Sequence, residues 1–377
     1  SQPTRLMVIV DFSFSILAAL GFDWVLRNLK DRNTQKKLAG ITLLFLMIFL
    51  TIWLFVLNPS WMITVLPENL LIIKRNLIFP TITIVFFTLF ILGHNILKAD
   101  MYRTKLIYTI VIILTVVDLF RFGWKFTPFV RQDWIFPQTN ILKTITQDKS
   151  YGRVMTLDRR ILPPNFSAAY RLQDVSGYDP LYFKEYGQLA ASWNKGKPDI
   201  SPAAFNRIIT PVNYESFITD LLGVKYIISF GSLKSDKLEY LSKEGETYLY
   251  TNKKAYPRAF LVDKVVRVEG AQETIDMMFN LAQNLRTTVV VDENIEINPT
   301  PLQSGEEAII SYYSPNYITI EVNTIANRLL VLSDIYNPVW QAFIDGKSAK
   351  MYKVDFVFRG VLVPSGIHNI EFKTNLL

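Results

Sequence analysis

Leu38-Ala39-Gly40-Ile41-Thr42-Leu43-Leu44-Phe45-Leu46-Met47-Ile48-Phe49-Leu50-Thr51-Ile52-Trp53-Leu54-Phe55-Val56-Leu57 is a run of 20 residues without a charge. A helix of that length covers the roughly 30 Å hydrocarbon core of a bilayer. Three more runs of similar character stand beside it, at Leu6–Leu26, Leu77–Leu97 and Leu106–Phe122. The chain thus begins as four expected transmembrane helices. Its composition agrees: of 377 residues, 50% are hydrophobic and 14% aromatic, and the mean hydropathy is +0.21. An ordinary soluble domain is less apolar than this.

The formal charge of +7 first suggests nucleic acid, but its distribution argues otherwise. Residues 1–125 carry 13 Lys and Arg against 6 Asp and Glu, whereas residues 126–377 carry 27 of each. The excess is confined to the hydrophobic third, where basic residues orient helices, so no nucleic-acid partner is expected. The loop after the first run holds Arg27, Lys30, Arg32, Lys36 and Lys37, and the loop after the third holds Lys98, Arg103 and Lys105. The middle loop, residues 58–76, offers only Lys74 and Arg75. The positive-inside rule places the first and third loops in the cytoplasm. Everything after Phe122 is then extracytoplasmic. Trp61–Leu66 and Pro67–Ile73 in the middle loop are too short to span; they read as an interfacial segment or as an apolar connector packed on the helices.

Charges within the membrane are costly and point to function by default. Asp11 and Asp118 both fall toward the outer side and are candidates for one outward-facing cavity, with Arg121 beside Asp118. The competing reading for Asp118 is an i,i+3 pair with Arg121, and for Asp11 an interhelical hydrogen bond. Asp23 and Arg27 read as an i,i+4 pair, and His94 as an interfacial or packing histidine. The absence of cysteine excludes disulfides, thiol catalysis and thiolate metal sites. Two histidines leave no histidine-rich metal centre.

Beyond Trp124 the pattern is that of a folded extracytoplasmic region. Arg153–Leu157 reads as a strand, Leu181–Trp193 and Tyr214–Leu222 as helices, and Val224–Ile228 as a strand after the stop at Gly223. Thr247–Tyr250 and Ala259–Val262 suggest a hairpin around Pro257. Ala271–Leu285 reads as a helix and Thr287–Val291 as a strand. From Tyr317 the style changes to short alternating strands, with Asp345-Gly346 a strong hairpin signal. The expected architecture is a transmembrane region over 1–123, an α/β domain over 124–298 and an antiparallel β-sandwich over 299–377. Asn298-Pro299-Thr300-Pro301 marks the last boundary.

No phosphate-binding glycine loop, dinucleotide fingerprint, nucleophile elbow or zinc-protease motif is present. The richest local cluster is Tyr170-Arg171-Leu172-Gln173-Asp174-Val175-Ser176-Gly177-Tyr178-Asp179-Pro180. Aromatic faces and carboxylates together suit sugars, which makes Arg171, Asp174, Tyr178 and Asp179 candidates for glycan binding. The alternative is a well-tied structural loop. Trp340 is a candidate sugar platform or a core residue.

Tyr336-Asn337-Pro338-Val339-Trp340, Ile344-Asp345-Gly346, Phe358-Arg359 and Pro364-Ser365-Gly366-Ile367-His368 together resemble the C-terminal signature of the YfhO family of bacterial membrane proteins. Asp118-Leu119, Asp174 to Asp179, Leu222-Gly223-Val224-Lys225-Tyr226 and Tyr256-Pro257-Arg258-Ala259 fit the same family in order. The resemblance implies a multi-pass protein of the bacterial cell membrane, similar to GT-C glycosyltransferases. Such enzymes take a sugar from a polyprenyl-phosphate donor and pass it to an outer-face acceptor, here a cell-envelope glycopolymer such as lipoteichoic acid. The partners implied are membrane lipid, that donor and that glycan, with a divalent metal ion as an optional cofactor. The family's catalytic carboxylate lies near its first outer loop, and this chain reads as the C-terminal portion of a longer protein, so no residue here inherits that role. The competing expectation is a membrane-anchored protein that binds or scaffolds envelope glycan without catalysis.

Overall fold

Residues 6–28, 30–58, 67–93, 101–126, 129–201, 207–297 and 300–374 are described by a computed structural model of the chain. They fall into two units, Ser1–Val130 and Arg131–Leu377.

The first unit contains four long helices, α1 (Met7–Asn28), α2 (Arg32–Leu57), α3 (Pro67–Gly93) and α4 (Met101–Phe126). Met7–Asn28, Arg32–Leu57 and the Asn69–Leu92 part of α3 are long and apolar enough to cross a membrane. They are apolar on every side instead of along one stripe, as suits a helix surrounded by hydrocarbon. α1 buries none of its residues against the rest of the chain. Asp31 caps α2 by accepting the Thr34 N–H at 2.9 Å. Asp23 and Arg27 pair at 2.9 Å.

The helix α3 begins at Pro67, ten residues before the expected Leu77. The interfacial segment expected at Pro67–Ile73 is therefore the first two turns of a helix. Proline is tolerated there because its missing N–H would have had no partner in the first turn. Lys74 and Arg75 extend the helix, both being good helix formers. Trp61–Leu66 and His94 lie outside the described residues. Trp53 donates its indole N–H to Thr81 Oγ1 at 2.9 Å, tying α2 to α3.

The second unit opens with α5 (Gln132–Ile135), α6 (Asn140–Gln147), β1 (Arg153–Thr156), β2 (Gly177–Tyr178), α7 (Lys184–Lys195), β3 (Ile208–Ile209), α8 (Phe217–Leu221) and β4 (Val224–Ser229). It continues through β5 (Leu238–Glu244), β6 (Thr247–Asn252), β7 (Ala259–Val262), β8 (Lys264–Arg267), α9 (Ala271–Asn280) and β9 (Thr288–Val291). It closes with β10 (Glu307–Tyr313), β11 (Tyr317–Thr324), β12 (Arg328–Ile335), β13 (Trp340–Ile344), β14 (Lys347–Ala349), β15 (Met351–Val354), β16 (Phe358–Val363) and β17 (Gly366–Thr374). Three sheets result, ordered β1-β4-β6-β5, β7-β12-β16-β15-β9-β8 and β10-β11-β17-β13-β14, with β2 and β3 paired apart.

The six-stranded sheet is the middle layer. Leu330 and Leu332 of β12 pack with Ile318, Ile320 and Phe372 of the five-stranded sheet. Their neighbours Leu329 and Val331 face the other way, into a core with Trp193, Ile227, Ile275 and Met278. A strand buried on both faces must be apolar at successive positions, which is why Leu329-Leu330-Val331-Leu332 does not alternate. In β11, covered on one side, Ile318, Ile320 and Val322 do alternate with more exposed neighbours.

Strands from both sides of residue 298 share that middle sheet. The linker expected at 298–301 therefore does not separate two independent cores, and its first two residues, Asn298 and Pro299, lie outside the described residues. The hairpin expected between Thr247–Tyr250 and Ala259–Val262 is not formed either. Strand β6 pairs with β4 and β5, while β7 pairs with β12, setting Val262 opposite Leu329. Arg258 explains the choice: its guanidinium is ion-paired to Asp334 and its carbonyl accepts the Ser333 N–H at 2.8 Å. Both contacts hold the start of β7 against β12. The Asp345-Gly346 turn does join β13 to β14, with φ of 50° and 77° as a type I′ hairpin requires.

Gly223 ends the α8 turn at φ +65°, and a Cβ there would sit 2.9 Å from the Tyr256 carbonyl oxygen. Backbone cannot move aside as a side-chain tip would. Gly223→Ala is expected to lower stability by about 1–3 kcal/mol, read as a fall in the thermal midpoint of the detergent-solubilised chain. An unchanged midpoint would show that the turn relaxes without cost.

Candidate functional site

Charged residues inside apolar strands are stable only when paired; two arginines of the second unit meet at one carboxylate, and the charge of a third, Arg359, also acts on it. Asp334, near the end of β12, accepts from Arg153 at 3.1 Å and is ion-paired to Arg258. Tyr313 donates its hydroxyl to the other Asp334 oxygen at 3.0 Å. Arg153 also donates to the Leu222 and Ser333 carbonyls, both at 2.5 Å. Arg258 reaches the Gln173 side chain and, at 3.1 Å, the Tyr151 carbonyl. Arg359 donates Nε to the Ile335 carbonyl at 3.0 Å and lies over the Trp340 ring at 3.9 Å. Burial pushes the Asp334 pKa up, yet the charges of Arg258, Arg153 and Arg359 outweigh it and hold the carboxyl below its ordinary value. Burial and the neighbouring Arg258 bring Arg153 down to about 10, although Asp334 works in the opposite direction.

These groups form the floor of a cleft of about 370 Å3, which Asp174, Ser176, Asp179, Tyr182 and Trp340 complete. The 173–175 segment runs beside β1, with Val154 N–H donating to the Gln173 carbonyl at 2.8 Å and Val175 N–H to the Val154 carbonyl at 3.2 Å. That lateral pairing sets Asp174 at the cleft. Its Oδ1 accepts the Ser176 N–H at 2.8 Å, while its Oδ2 is buried without a partner. Burial raises its pKa to about 6, against the pull of the Ser176 backbone hydrogen bond.

Six buried side-chain polar atoms lack a partner among the described residues, and four belong to residues lining this cleft: Asp174 Oδ2, Ser176 Oγ, Arg258 Nε and Arg359 Nη1. Leaving such an atom unpaired costs about 1–3 kcal/mol, so their concentration in one cleft marks a place built for a polar ligand. Three arginines and three aspartates line it, and their formal charges cancel. That balance suits a ligand that donates and accepts hydrogen bonds better than a strong anion.

The structure brings Asp174, Asp179 and Trp340 to one cleft and leaves Arg171 and Tyr178 outside its lining. Asp179 also caps the following turn through the Leu181 N–H at 2.8 Å. Arg171 is an exposed residue at φ 56° that closes the 3-10 turn Phe166–Tyr170. Tyr178 points its neighbours' way only through the backbone, where Asn165 both donates to its carbonyl and accepts its N–H, at 2.7 and 2.9 Å. Trp340 lines the cleft and also packs against the core between the five- and six-stranded sheets. The guanidinium of Arg359 covers one of its faces. Arg153, Arg258, Arg359, Tyr313 and Asp334 were not candidates from sequence. The available signal was an arginine set inside or beside each apolar strand.

In the first unit a cavity of about 730 Å3 between α1, α3 and α4 is lined by Ser15, Phe22, Phe79, Phe87, Thr115 and Asp118 among others. Asp118 and Arg121 pair at 3.9 Å, and Arg121 lies 5.4 Å from the centre of the Phe79 ring. Asp11 is not part of that lining; its carbonyl accepts the Ser15 hydroxyl one turn away, at 2.8 Å. Among the described residues no three His, Asp or Glu side chains are grouped to hold a metal ion. No family model, no curated protein and no solved structure matches this chain.

The raised pKa of Asp174 has a thermodynamic sign. Its folded value of about 6 exceeds the ordinary 3.8, so the folded state binds the proton more tightly. The native carboxyl is neutral below about pH 6; its contribution to stability is full below about pH 4 and is lost as pH rises from there through 6, by up to about 3 kcal/mol. Asp174→Asn is expected to gain thermal midpoint relative to the parent between pH 4 and 7. A difference independent of pH would mean the carboxylate is well solvated.

Proposed function

We propose that the chain is part of a multi-pass bacterial membrane protein of the YfhO family, a GT-C-type glycosyltransferase. In this reading all four helices span the membrane, with the basic loops cytoplasmic and the second unit on the outer face. The five- and six-stranded sheets form the β-sandwich of that unit. The donor is a polyprenyl-phosphate sugar and the acceptor a cell-envelope glycopolymer such as lipoteichoic acid.

The observation that carries the reading is the set of four unpartnered atoms around the cleft. Arg258 Nε and Arg359 Nη1 are donors, Asp174 Oδ2 is an acceptor, and Ser176 Oγ is either. A sugar hydroxyl donates one hydrogen bond and accepts two, so a pair of neighbouring hydroxyls complements this set. The Trp340 and Tyr313 side chains, both in the lining, add apolar surface to the cleft wall. Asp174 is the carboxylate that holds the acceptor glycan, since Asp334 is engaged by arginine and Asp179 by its turn. The same disposition favours a second reading, in which the protein binds envelope glycan without transferring sugar. Both readings place glycan in the same cleft.

The full chain in liposomes, given a radiolabelled polyprenyl-phosphate sugar and lipoteichoic acid, tests them. Label moving to the polymer supports the transferase, and saturable polymer binding without transfer supports the second reading. Neither binding nor transfer would overturn both. Asp174→Asn is expected to weaken glycan binding about ten- to hundredfold, the loss of one hydrogen bond to a charged group.

A further inference from the structure

The second unit exposes a cluster of large apolar side chains that its own core does not use. Trp134 is 69% exposed on α5, and Ile135 and Phe136 follow it, both exposed. The Phe136 ring lies 5.7 Å from Phe166, itself exposed, and 6.2 Å from Tyr170. The Asn165 clamp on the Tyr178 backbone brings a second turn alongside, and that turn ends in Leu181, 87% exposed. Behind Ile135 and Phe166 a mostly apolar pocket of about 340 Å3 runs inward over Ile141, Leu142 and Leu162, with Arg160 and Glu244 also in its lining. Single exposed apolar residues are ordinary on a protein surface; a contiguous aromatic face backed by a mostly apolar pocket is not.

The geometry points to a membrane-docking face: α5 and the Phe166 and Tyr178–Leu181 turns rest in the headgroup and upper acyl layer of the bilayer, with the pocket open to an acyl chain. The occupant is named by continuity along the chain. Trp134 follows Phe126, the last residue of α4, by eight residues, which extend to at most about 28 Å. The intervening and preceding residues Trp124, Phe126, Phe129 and Val130 are exposed as well. Tryptophan and other aromatic rings concentrate at that depth because one end of such a residue is apolar and the other polar. Charge fits too, since Arg131 is already paired with Asp133 at 2.8 Å and brings no uncompensated charge to the lipid. Tyr178 lies between Gly177 and Asp179, both lining the cleft, so the docking face and the cleft rim are adjacent along one strand. The inference rests on α4 being a membrane helix and is independent of what the cleft binds.

A chain without cysteine accepts single labels cleanly. Trp134→Cys, Phe136→Cys and Phe166→Cys carry a nitroxide, with the exposed Tyr240→Cys and Tyr312→Cys as water-facing references and Ile112→Cys as a probe of α4. The full-length labelled proteins are reconstituted in phosphatidylcholine–phosphatidylglycerol liposomes, and collision with oxygen is compared with collision with a water-soluble nickel chelate. The expected result is an oxygen-to-nickel ratio at 134, 136 and 166 several-fold above that at 240 and 312. A ratio equal to the references would overturn the docking face. So would low collision with both reagents, which means the face is covered by protein. A water-like ratio at 112 would overturn the membrane reading of α4 itself, and the docking face with it.

Discussion

One buried carboxylate organises the second unit. Asp334 holds Arg153, which opens β1 of the four-stranded sheet, and Arg258, which precedes β7 of the six-stranded sheet. Taking these ions out of water costs several kcal/mol each, which only close pairing repays, and removing one partner from such a cluster costs about 3–5 kcal/mol. The arrangement therefore has little tolerance for any other register. The opposite end of β12 is pinned in the same manner, by the fully buried pair Arg328 and Glu306 at 2.8 Å. A strand that is apolar on both faces carries no pattern to fix its register; buried charge at both of its ends supplies what alternation cannot.

That dependence explains what could be read from sequence. Three of the helices of the first unit follow from composition alone, because they are apolar runs long enough to cross a membrane. Local turn chemistry was equally legible. Gly223 and Asp345-Gly346 stand where left-handed backbone is needed, and the elements around them follow within a few residues. What was not legible is pairing over long separations. Nothing near Ala259–Val262 says that its neighbour is Leu329–Leu332 and not the preceding strand; the reason sits in Arg258 and Asp334. The start of α3 was hidden differently, since Pro67, Lys74 and Arg75 look like breaks in a hydropathy pattern while being compatible with helix.

The candidate site divides along the same line. The segment 170–180 was conspicuous for its density of polar and aromatic residues, and Asp174 and Asp179 do meet Trp340 at the cleft. Density did not say which side each residue takes. Tyr178 lies on the other side of its short strand from the cleft residues around it, and Arg171 is spent on closing a turn. The arginines that make the cleft unusual come from positions inside or beside the apolar strands. Their partners are distant in the chain, so their meeting is a property of the fold.

The shared middle sheet also has a consequence for how the protein is made. Strands β7, β8 and β9 leave the ribosome well before β12, β15 and β16, yet β7 gains its hydrogen-bonded neighbour only when β12 arrives, and β15 bridges β9 to β16 later still. Ala259–Val262, wholly buried at the end, must wait as a bare apolar segment, and Thr288–Val291 waits with only β8 beside it, while the rest is translated. Sheets closed by such distant pairings form slowly, and an unpaired apolar strand is prone to pair with a neighbouring chain. Synthesis of this protein thus passes through an interval of vulnerability that ends only once Phe358–Val363 has emerged. A helper that shields extended apolar chain would act during that interval.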